Sequence, residues 1–166
     1  PHVKGRWARA REKLRVEDWQ CFLVCPAVGW MRKDTGTRRF RVVYDEIPRK
    51  NAKSTLVAAL GLKALVADGE HGAEVYCGAG TEEQAWYVFW TARRMAMEAR
   101  GFADAFGVDV LARSLTVLDT ASAFRPVIGQ PGDGSSPSFA IVDEYHEHRT
   151  DDLVDTFVPG LGARAT

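Results

Sequence analysis

The first informative motif of the chain is residues 47–55, Ile-Pro-Arg-Lys-Asn-Ala-Lys-Ser-Thr. Strand-forming residues precede them, and a run with helical spacing follows at once. A loop in this context that closes on Lys-Ser is typical of phosphate binding, because backbone N–H groups and a helix N-terminus can surround the phosphates. In such a loop Lys53 would bridge the β- and γ-phosphates, and Ser54 would place its hydroxyl on Mg²⁺.

The loop departs from the standard pattern G-x-x-x-x-G-K-[ST], since Ile47 and Ala52 stand at the two glycine positions. Alanine is small enough for the backbone to approach a phosphate, but it would be strained wherever φ is positive. Lys-Ser at a helix start is also common without a ligand, so this motif needs support from a second one. The residues predicted to bind nucleotide here are Pro48, Arg49, Lys50, Asn51, Ala52, Lys53, Ser54 and Thr55.

Strand and helix patterns alternate on both sides of the loop. β-Branched and aromatic residues predict a strand over 39–47, which Pro48 ends because proline cannot donate to a ladder. Apolar residues at helical spacing predict a helix over 53–68. The other predicted elements are a strand over 73–79, a helix from Thr81 to about Gly101, extended runs over 108–118 and 123–128, a loop over 130–138, a strand over 139–142 and a helix from about Thr150 to 159–160.

Two local details accompany these elements. The sequence Thr81-Glu82-Glu83-Gln84 predicts a capping box, in which Thr81 is the N-cap and the Gln84 side chain reaches back. The apolar run 19–30 is expected to be broken at Pro26 and Gly29. Helices of crossover length between strands predict an α/β fold with a mainly parallel central sheet flanked by helices. Ligands bind such sheets at the carboxyl ends of the strands.

The second motif is residues 139–144, Phe-Ala-Ile-Val-Asp-Glu. Four apolar residues followed by two acids fit a buried strand that delivers carboxylates at its carboxyl end, the Walker B arrangement. Asp143 would hold the Mg²⁺ shell through water, and Glu144 would polarise the attacking water. Both motifs lie on suitable elements, in the expected order and about 90 residues apart, so together they predict a nucleotide site.

Composition sets the broad class. The chain has 166 residues, 46% of them apolar, with 22 basic and 22 acidic side chains. That suffices for one well-buried core and excludes disordered, collagen-like and coiled-coil classes. No apolar stretch is long enough to span a membrane, and no signal peptide is evident. Residues 1–50 carry a net charge of +7 and residues 51–166 carry −7, so the first third could meet phosphate or an acidic neighbour.

The cysteines do not suggest a metal site or a disulfide framework. Cys21, Cys25 and Cys77 make an odd number without paired spacing, and we expect them to be reduced and mostly buried, in a cytosolic protein. His146 and His148 flank Glu147 after the second motif, but no third metal ligand is evident, and a polar helix start or loop explains them better. The aromatic run 86–90 is interpreted as core packing rather than a base-stacking surface.

The motifs resemble those of one known family. Residues 48–54 resemble the Arg-Lys-Asn-Gly-Lys-Ser phosphate loop of the large terminase subunit of tailed bacteriophages, and residues 140–148 resemble its Walker B segment. The pair Trp19-Gln20, the pair Gly29-Trp30 and residues 38–40 resemble its approach to the loop. Residues 160–164 resemble the segment before its next strand. The resemblance spans roughly residues 14–164.

The resemblance implies an ATPase that drives double-stranded DNA into a preformed capsid. It implies a P-loop NTPase fold of the additional-strand, catalytic-glutamate type, with ATP and Mg²⁺ as cofactors. Residues 1–166 would form a single, truncated ATPase domain, with the coupling-motif strand and an RNase H-like nuclease domain lying beyond this chain. The expected partners are double-stranded DNA, the portal protein, the small terminase subunit and further copies in a pentameric ring, without a membrane, in the host cytoplasm and transiently at the procapsid portal.

The resemblance also implies roles for individual residues. Gln20 would read the adenine edge near Trp19, and Arg49 would contact phosphates and couple hydrolysis to movement. A neighbouring subunit would supply an arginine finger, for which Arg125 is the first candidate and Arg113 the second. The catalytic set is therefore Glu144, Lys53, Arg49 and Arg125, and the metal ligands are Ser54 and Asp143.

Two other interpretations stay open at this point. One is a different phosphate-loop enzyme, such as a helicase-like ATPase or a nucleotide kinase. A glutamate directly after the Walker B aspartate favours water as the phosphoryl acceptor, which argues against a kinase. The other is a non-catalytic nucleotide-binding module, which would follow if Ile47 and Ala52 abolished ATP binding.

Overall fold

A computed structural model of the chain describes residues 2–10, 12–127, 136–148 and 150–162. The helices in these ranges are α1 (Gly5–Arg9), α2 (Asp18–Gly29), α3 (Lys53–Val66), α4 (Glu82–Glu98), α5 (Phe102–Phe106) and α6 (Asp152–Gly162). The strands are β1 (Glu74–Ala79), β2 (Val108–Val110), β3 (Leu115–Val117), β4 (Ser122–Pro126) and β5 (Phe139–Asp143). Short 3-10 turns cover Leu118–Thr120 and Tyr145–Glu147.

The described strands form one sheet in the order β2-β3-β4-β1-β5. β1 pairs in parallel with β4 on one side and with β5 on the other, whereas β3 runs antiparallel to both β2 and β4. Only β3 therefore opposes the common strand direction. The predicted α/β fold with a mostly parallel sheet and flanking helices is confirmed. Among the described residues, no helix combines the length and apolarity needed to cross a bilayer.

The core lies between the sheet and the pair α3 and α4. Phe124 of β4 is fully buried there and meets the Phe89 ring of α4 edge-on, with ring centroids 5.8 Å apart. Gly61 lets α3 approach this ring closely, since a Cβ atom at that position would lie 2.7 Å from Phe124 Cε1. On the other face of the sheet, Tyr76 stacks on Phe157 of α6 at 5.8 Å. The sheet is therefore covered on both faces, as its apolar strands require.

The predicted strand over 39–47 is wrong for the described structure. This segment, which we call the lead-in segment, pairs with none of the described strands, and Val42, Val43 and Tyr44 are 60%, 49% and 68% exposed. A cleft separates it from β5. β-Branched and aromatic residues favour a pleated, half-buried surface, but they form a strand only where they pair with a neighbouring strand, and the lead-in segment does not pair with the edge strand β5.

Prolines and a capping side chain account for further differences. α2 continues through Pro26 and α6 through Pro159, although a break and a helix end were predicted there. Pro26 lies in the last turn of α2, where the lost N–H removes only one intrahelical bond. Thr81 does cap α4 by accepting from the Gln84 N–H at 3.3 Å. The Gln84 side chain, however, turns to Glu147 instead of reaching back.

The remaining predicted elements agree with the structure to within about three residues at their ends. The helix 53–68, the strand 73–79, the helix after Thr81 and the strand 139–142 are present as α3, β1, α4 and β5. The extended run 108–118 is a hairpin of two strands. Residues 128–135 lie outside the described residues, and with them the end of the run 123–128 and most of the predicted loop 130–138.

All three cysteines are free thiols, but only Cys77 is buried. Burial in the middle of β1 raises the pKa of the Cys77 thiol, so this group stays neutral. Cys25 is exposed on α2 and Cys21 is half-buried, so the prediction that the cysteines are mostly buried is wrong for α2. α2 covers the cleft from one side and leaves the other side of the helix to solvent.

Candidate nucleotide site

The loop over 48–52 curves tightly before α3 begins. Lys50 and Ala52 both adopt left-handed backbone conformations, with φ of 71° and 57°. The Asn51 side chain stabilises the curve by donating to the Pro48 carbonyl at 3.1 Å. Ala52 is the N-cap residue of α3 and provides no capping side chain, so the first N–H groups of this helix face the loop. Such N–H groups at a helix N-terminus favour an anion.

Replacing Ala52 with glycine is expected to stabilise the fold. A left-handed conformation destabilises alanine by about 1–2 kcal/mol because of its Cβ atom, and glycine has no such steric cost. Glycine, however, loses more chain entropy on folding. The free energy of unfolding of Ala52→Gly should therefore rise by about 0.5–1 kcal/mol. Urea denaturation of both proteins measures this. Asn51→Gly, which gains glycine but loses the bond to Pro48, is the control that should not be stabilised.

Two oxygen groups meet where α3 begins and β5 ends. Ser54 Oγ donates to Asp143 Oδ2 at 2.7 Å. Asp143 Oδ1 accepts from the Glu144 N–H at 3.1 Å. Parallel pairing with β1 brings Asp143 level with Ala79 at the carboxyl edge of the sheet. A hydroxyl and a carboxylate held this close are the hard oxygen ligands that Mg²⁺ uses together with phosphate and water, so these side chains fit the predicted ion.

Lys53 and Glu144 form the second contact of the site. Lys53 Nζ lies 3.6 Å from Glu144 Oε1, and both side chains are about a quarter exposed, at 23% and 25%. Glu144 has a φ of 50°, which is rare for a residue with a side chain and costs of order 1–3 kcal/mol. Such strain is common at functional sites. The structure thus brings together four of the six residues predicted to be catalytic or to bind the metal, namely Lys53, Ser54, Asp143 and Glu144.

A cleft of about 540 Å³ opens beside these residues, within the range of small-molecule sites. Arg49 is exposed and lines its mouth together with Lys53 and Glu144. Much of the lining is apolar, with walls from α2, the lead-in segment, α3 and β5, but charged residues such as Arg38, Asp45 and Glu46 line the cleft as well. The apolar lining residues include Val24, Val28, Phe40, Val43, Ile47, Leu56, Leu60, Phe139 and Val142. The wall from α2 was not predicted, although the apolar run 19–30 was a signal for it.

Trp19 and Gln20 do not line the cleft. They lie at the start of α2, whereas the residues of this helix that line the cleft begin at Leu23. Gln20 is buried and its Oε1 accepts from the Glu17 N–H at 3.0 Å, which forms a capping box for α2. Trp19 is 40% exposed. The side-chain carbonyl of Gln20 therefore already accepts a hydrogen bond at the N-terminus of its own helix.

The two candidate finger arginines lie away from the site of their own chain. The Arg125 guanidinium is 5.7 Å from the centroid of the Tyr76 ring, on the face of the sheet that α6 covers. Ser54 and Asp143 meet on the opposite face, beside α3. Arg113 lies between β2 and β3, with its guanidinium 5.5 Å from the Trp86 ring. A role in catalysis would thus require a second copy of the chain.

The histidines after β5 do not form a metal centre. No group of three His, Cys, Asp or Glu side chains in the described ranges is arranged to hold a metal ion. His146 lies between Glu144 and Glu147, and His148 Nε2 is 3.3 Å from the Asp143 carbonyl oxygen. These side chains surround the turn that follows β5.

Comparison with known proteins identifies the family. The model of the family described as "Terminase large subunit, ATPase domain" matches residues 18–166. This chain belongs to that family. The crystal structure of the HK97 bacteriophage large terminase superposes with a TM-score of 0.76 at 25% identity, over 92% of this chain and 32% of that one. The resemblance seen in the sequence is confirmed.

One curated relative matches over a shorter stretch of this chain. Protein YmfN of Escherichia coli (strain K12) is 67% identical over 58 residues, which are 35% of this chain and 13% of YmfN. The chain thus spans about a third of the HK97 terminase and a smaller share of YmfN. As a terminase ATPase domain it is a nucleotide-binding module, and the loop and the acidic edge of β5 are its candidate site.

Proposed function

We propose that this chain is the ATPase motor of a DNA-packaging terminase, which hydrolyses ATP to translocate double-stranded DNA into a procapsid. One observation carries the proposal. Ser54 and Asp143 are 2.7 Å apart, and Lys53 and Glu144 are 3.6 Å apart, at one edge of a mostly parallel sheet. The first pair suits a magnesium ion, and the second pairs a phosphate-binding cation with a general base.

Each group has a distinct task in the proposed reaction. The N–H groups at the start of α3 and the Lys53 ammonium bind the phosphates, with Arg49 contacting them from the mouth of the cleft. Ser54 and Asp143 would hold Mg²⁺, which would neutralise negative charge on the phosphates. Glu144 accepts the proton of the attacking water. The adenine base of ATP would bind in the apolar part of the cleft, beside the loop.

Other molecules would complete the site and the motor. Arg125 cannot serve the site of its own chain from the far face of the sheet, so as a finger it would act on a neighbouring copy in a ring, for which a pentamer is proposed. The portal protein, the small terminase subunit and double-stranded DNA complete the motor at the procapsid, in the host cytoplasm. An arginine finger typically raises the rate about 10³–10⁵-fold, so assembly would control activity.

A packaging reaction tests the proposal. The full-length protein is incubated with procapsids, linear double-stranded DNA and Mg²⁺-ATP, and the DNA that becomes resistant to nuclease is measured. ATP-dependent protection is expected, and Lys53→Ala should abolish it. Hydrolysis without protection would favour a helicase-like ATPase instead, and ATP binding without hydrolysis would favour a non-catalytic module.

Removal of the Ser54 hydroxyl is expected to weaken metal binding selectively. Ser54→Ala leaves Asp143 without its partner at 2.7 Å and removes one ligand oxygen. The Mg²⁺ concentration for half-maximal ATPase activity should rise by about 10–100-fold, because deletion of a supporting group typically lowers the metal affinity of a site by this factor. A titration of activity against free Mg²⁺ measures this. Ser54→Thr keeps the hydroxyl and is the matched control; an unchanged Mg²⁺ requirement in Ser54→Ala would remove Ser54 from the metal site.

A further inference from the structure

The turn Tyr145–Glu147 follows Glu144 directly along the chain. Glu144 is the N-cap of this turn, with φ of 50° and ψ of 45°. A residue with a side chain keeps this conformation only when its surroundings fix it. The contacts of the turn therefore bear directly on the proposed general base.

The start of α4 holds this turn from outside the nucleotide site. Gln84 Nε2 donates a hydrogen bond to Glu147 Oε2. A Cβ atom on Gly80 would lie 3.3 Å from the Glu147 carbonyl oxygen, so the connection between β1 and α4 is packed against the turn. Gln84 Oε1 is buried and has no hydrogen-bond partner among the described residues. The bond to Glu147 is therefore the contact that orients the Gln84 amide.

From Glu147 the contacts lead back to Glu144. His146 Nε2 lies 3.8 Å from Glu147 Oε1, and His146 Nδ1 lies 3.5 Å from Glu144 Oε2. The other oxygen of Glu144 faces Lys53 at 3.6 Å. The Glu144 carboxylate thus lies between the lysine of the loop on one side and the exposed imidazole of His146 on the other.

We infer that Gln84 and Glu147 are positioning residues, which act through His146 to hold Glu144 in place while Lys53 binds phosphate. This inference rests on the proposed function. Once a phosphate occupies the loop, the Lys53 ammonium turns to it and its pairing with Glu144 weakens. The imidazole then remains as the neighbour that keeps the Glu144 carboxylate directed at the attacking water. Gln84 and Glu147 do not line the cleft themselves.

An exchange of the two side chains tests this inference. Gln84→Glu places two carboxylates face to face, and we expect kcat for ATP hydrolysis to fall about tenfold while KM for ATP changes less than about twofold. The double variant Gln84→Glu with Glu147→Gln restores one amide donor opposite one carboxylate. It should recover kcat to within about threefold of wild type. Glu147→Ala, which cannot restore the pair, gives a second route to the low kcat.

The controls separate this inference from the proposed function. Glu83→Gln changes an exposed carboxylate on the same turn of α4 and should leave kcat unchanged. Thermal unfolding of each variant shows whether it is folded. Full kcat in both Gln84→Glu and Glu147→Ala, with an active wild type, would overturn the inference and leave the proposed function intact. No hydrolysis by the wild-type protein would instead remove the proposed function.

Discussion

Glu144→Gln is expected to abolish ATP hydrolysis while ATP binding persists. Glutamine keeps the size of the side chain and its neighbours Lys53 and His146, but it cannot accept the proton of the attacking water. Loss of a general base lowers kcat by about 10²–10⁴-fold. Phosphate release by full-length wild type and variant, together with a titration of ATP binding, measures both properties.

The difference between the effect on phosphate release and the effect on ATP binding identifies the general base. ATP affinity should stay the same or increase, because Lys53 is released from its carboxylate partner. Asp119→Asn, an exposed acid in the turn after β3, is the control that should hydrolyse ATP at the wild-type rate. A Glu144→Gln protein with more than about a tenth of wild-type kcat would assign the general base to another residue.

Phe124→Ala is expected to cause the largest loss of stability. The ring is fully buried on β4, meets Phe89 edge-on at 5.8 Å and fills the space that Gly61 leaves in α3. Removal of a buried phenyl ring costs about 3–5 kcal/mol through lost burial and the cavity left behind. That is a large share of the roughly 5–15 kcal/mol that stabilises a domain.

Urea denaturation of the variant and of a matched control measures this loss. Phe22→Ala removes the same ring from the exposed surface of α2, where the side chain is 78% exposed, and should change the free energy of unfolding by about 0.5 kcal/mol or less. A loss below about 1 kcal/mol in Phe124→Ala would mean that α3 and α4 do not pack on β4 as described.

Elements with strong local signals could be predicted from the sequence. The helical spacing of Leu56, Leu60 and Ala64 is sufficient for α3, and the apolar runs before Gly78 and Asp143 are sufficient for β1 and β5. The proximity of the loop to Asp143 also follows from sequence, because parallel strands and the helices that follow them place their functional ends at one edge of the sheet.

Features that depend on distant partners could not be predicted. The lead-in segment has strand-forming residues, but no described strand lies beside it, and pairing is a property of the whole sheet. Gln84 has the pattern of a capping box, yet a carboxylate 63 positions away attracts its amide more strongly. Trp19 and Gln20 follow a family pattern, whereas the structure uses Gln20 to cap α2.

The strain at Ala52 could be predicted only in part. The sequence shows alanine at a position where the phosphate-loop pattern has glycine, and it indicates strain if φ is positive. Only the structure supplies the φ of 57°. The left-handed conformation of Glu144 also becomes visible only in the structure, and it has no signal in the sequence. The Glu144 carboxylate lies beside Lys53 in this conformation.

The central claim is that ATP is hydrolysed at the loop and acidic edge formed by Lys53, Ser54, Asp143 and Glu144. Phosphate release from Mg²⁺-ATP by the full-length protein and by Lys53→Ala, each over a series of protein concentrations, tests it most directly. We expect the wild-type protein to hydrolyse ATP at a rate per molecule that rises with protein concentration, because a neighbouring copy supplies the arginine, and we expect no hydrolysis by Lys53→Ala. Undiminished hydrolysis by Lys53→Ala would show that ATP is not hydrolysed at this loop.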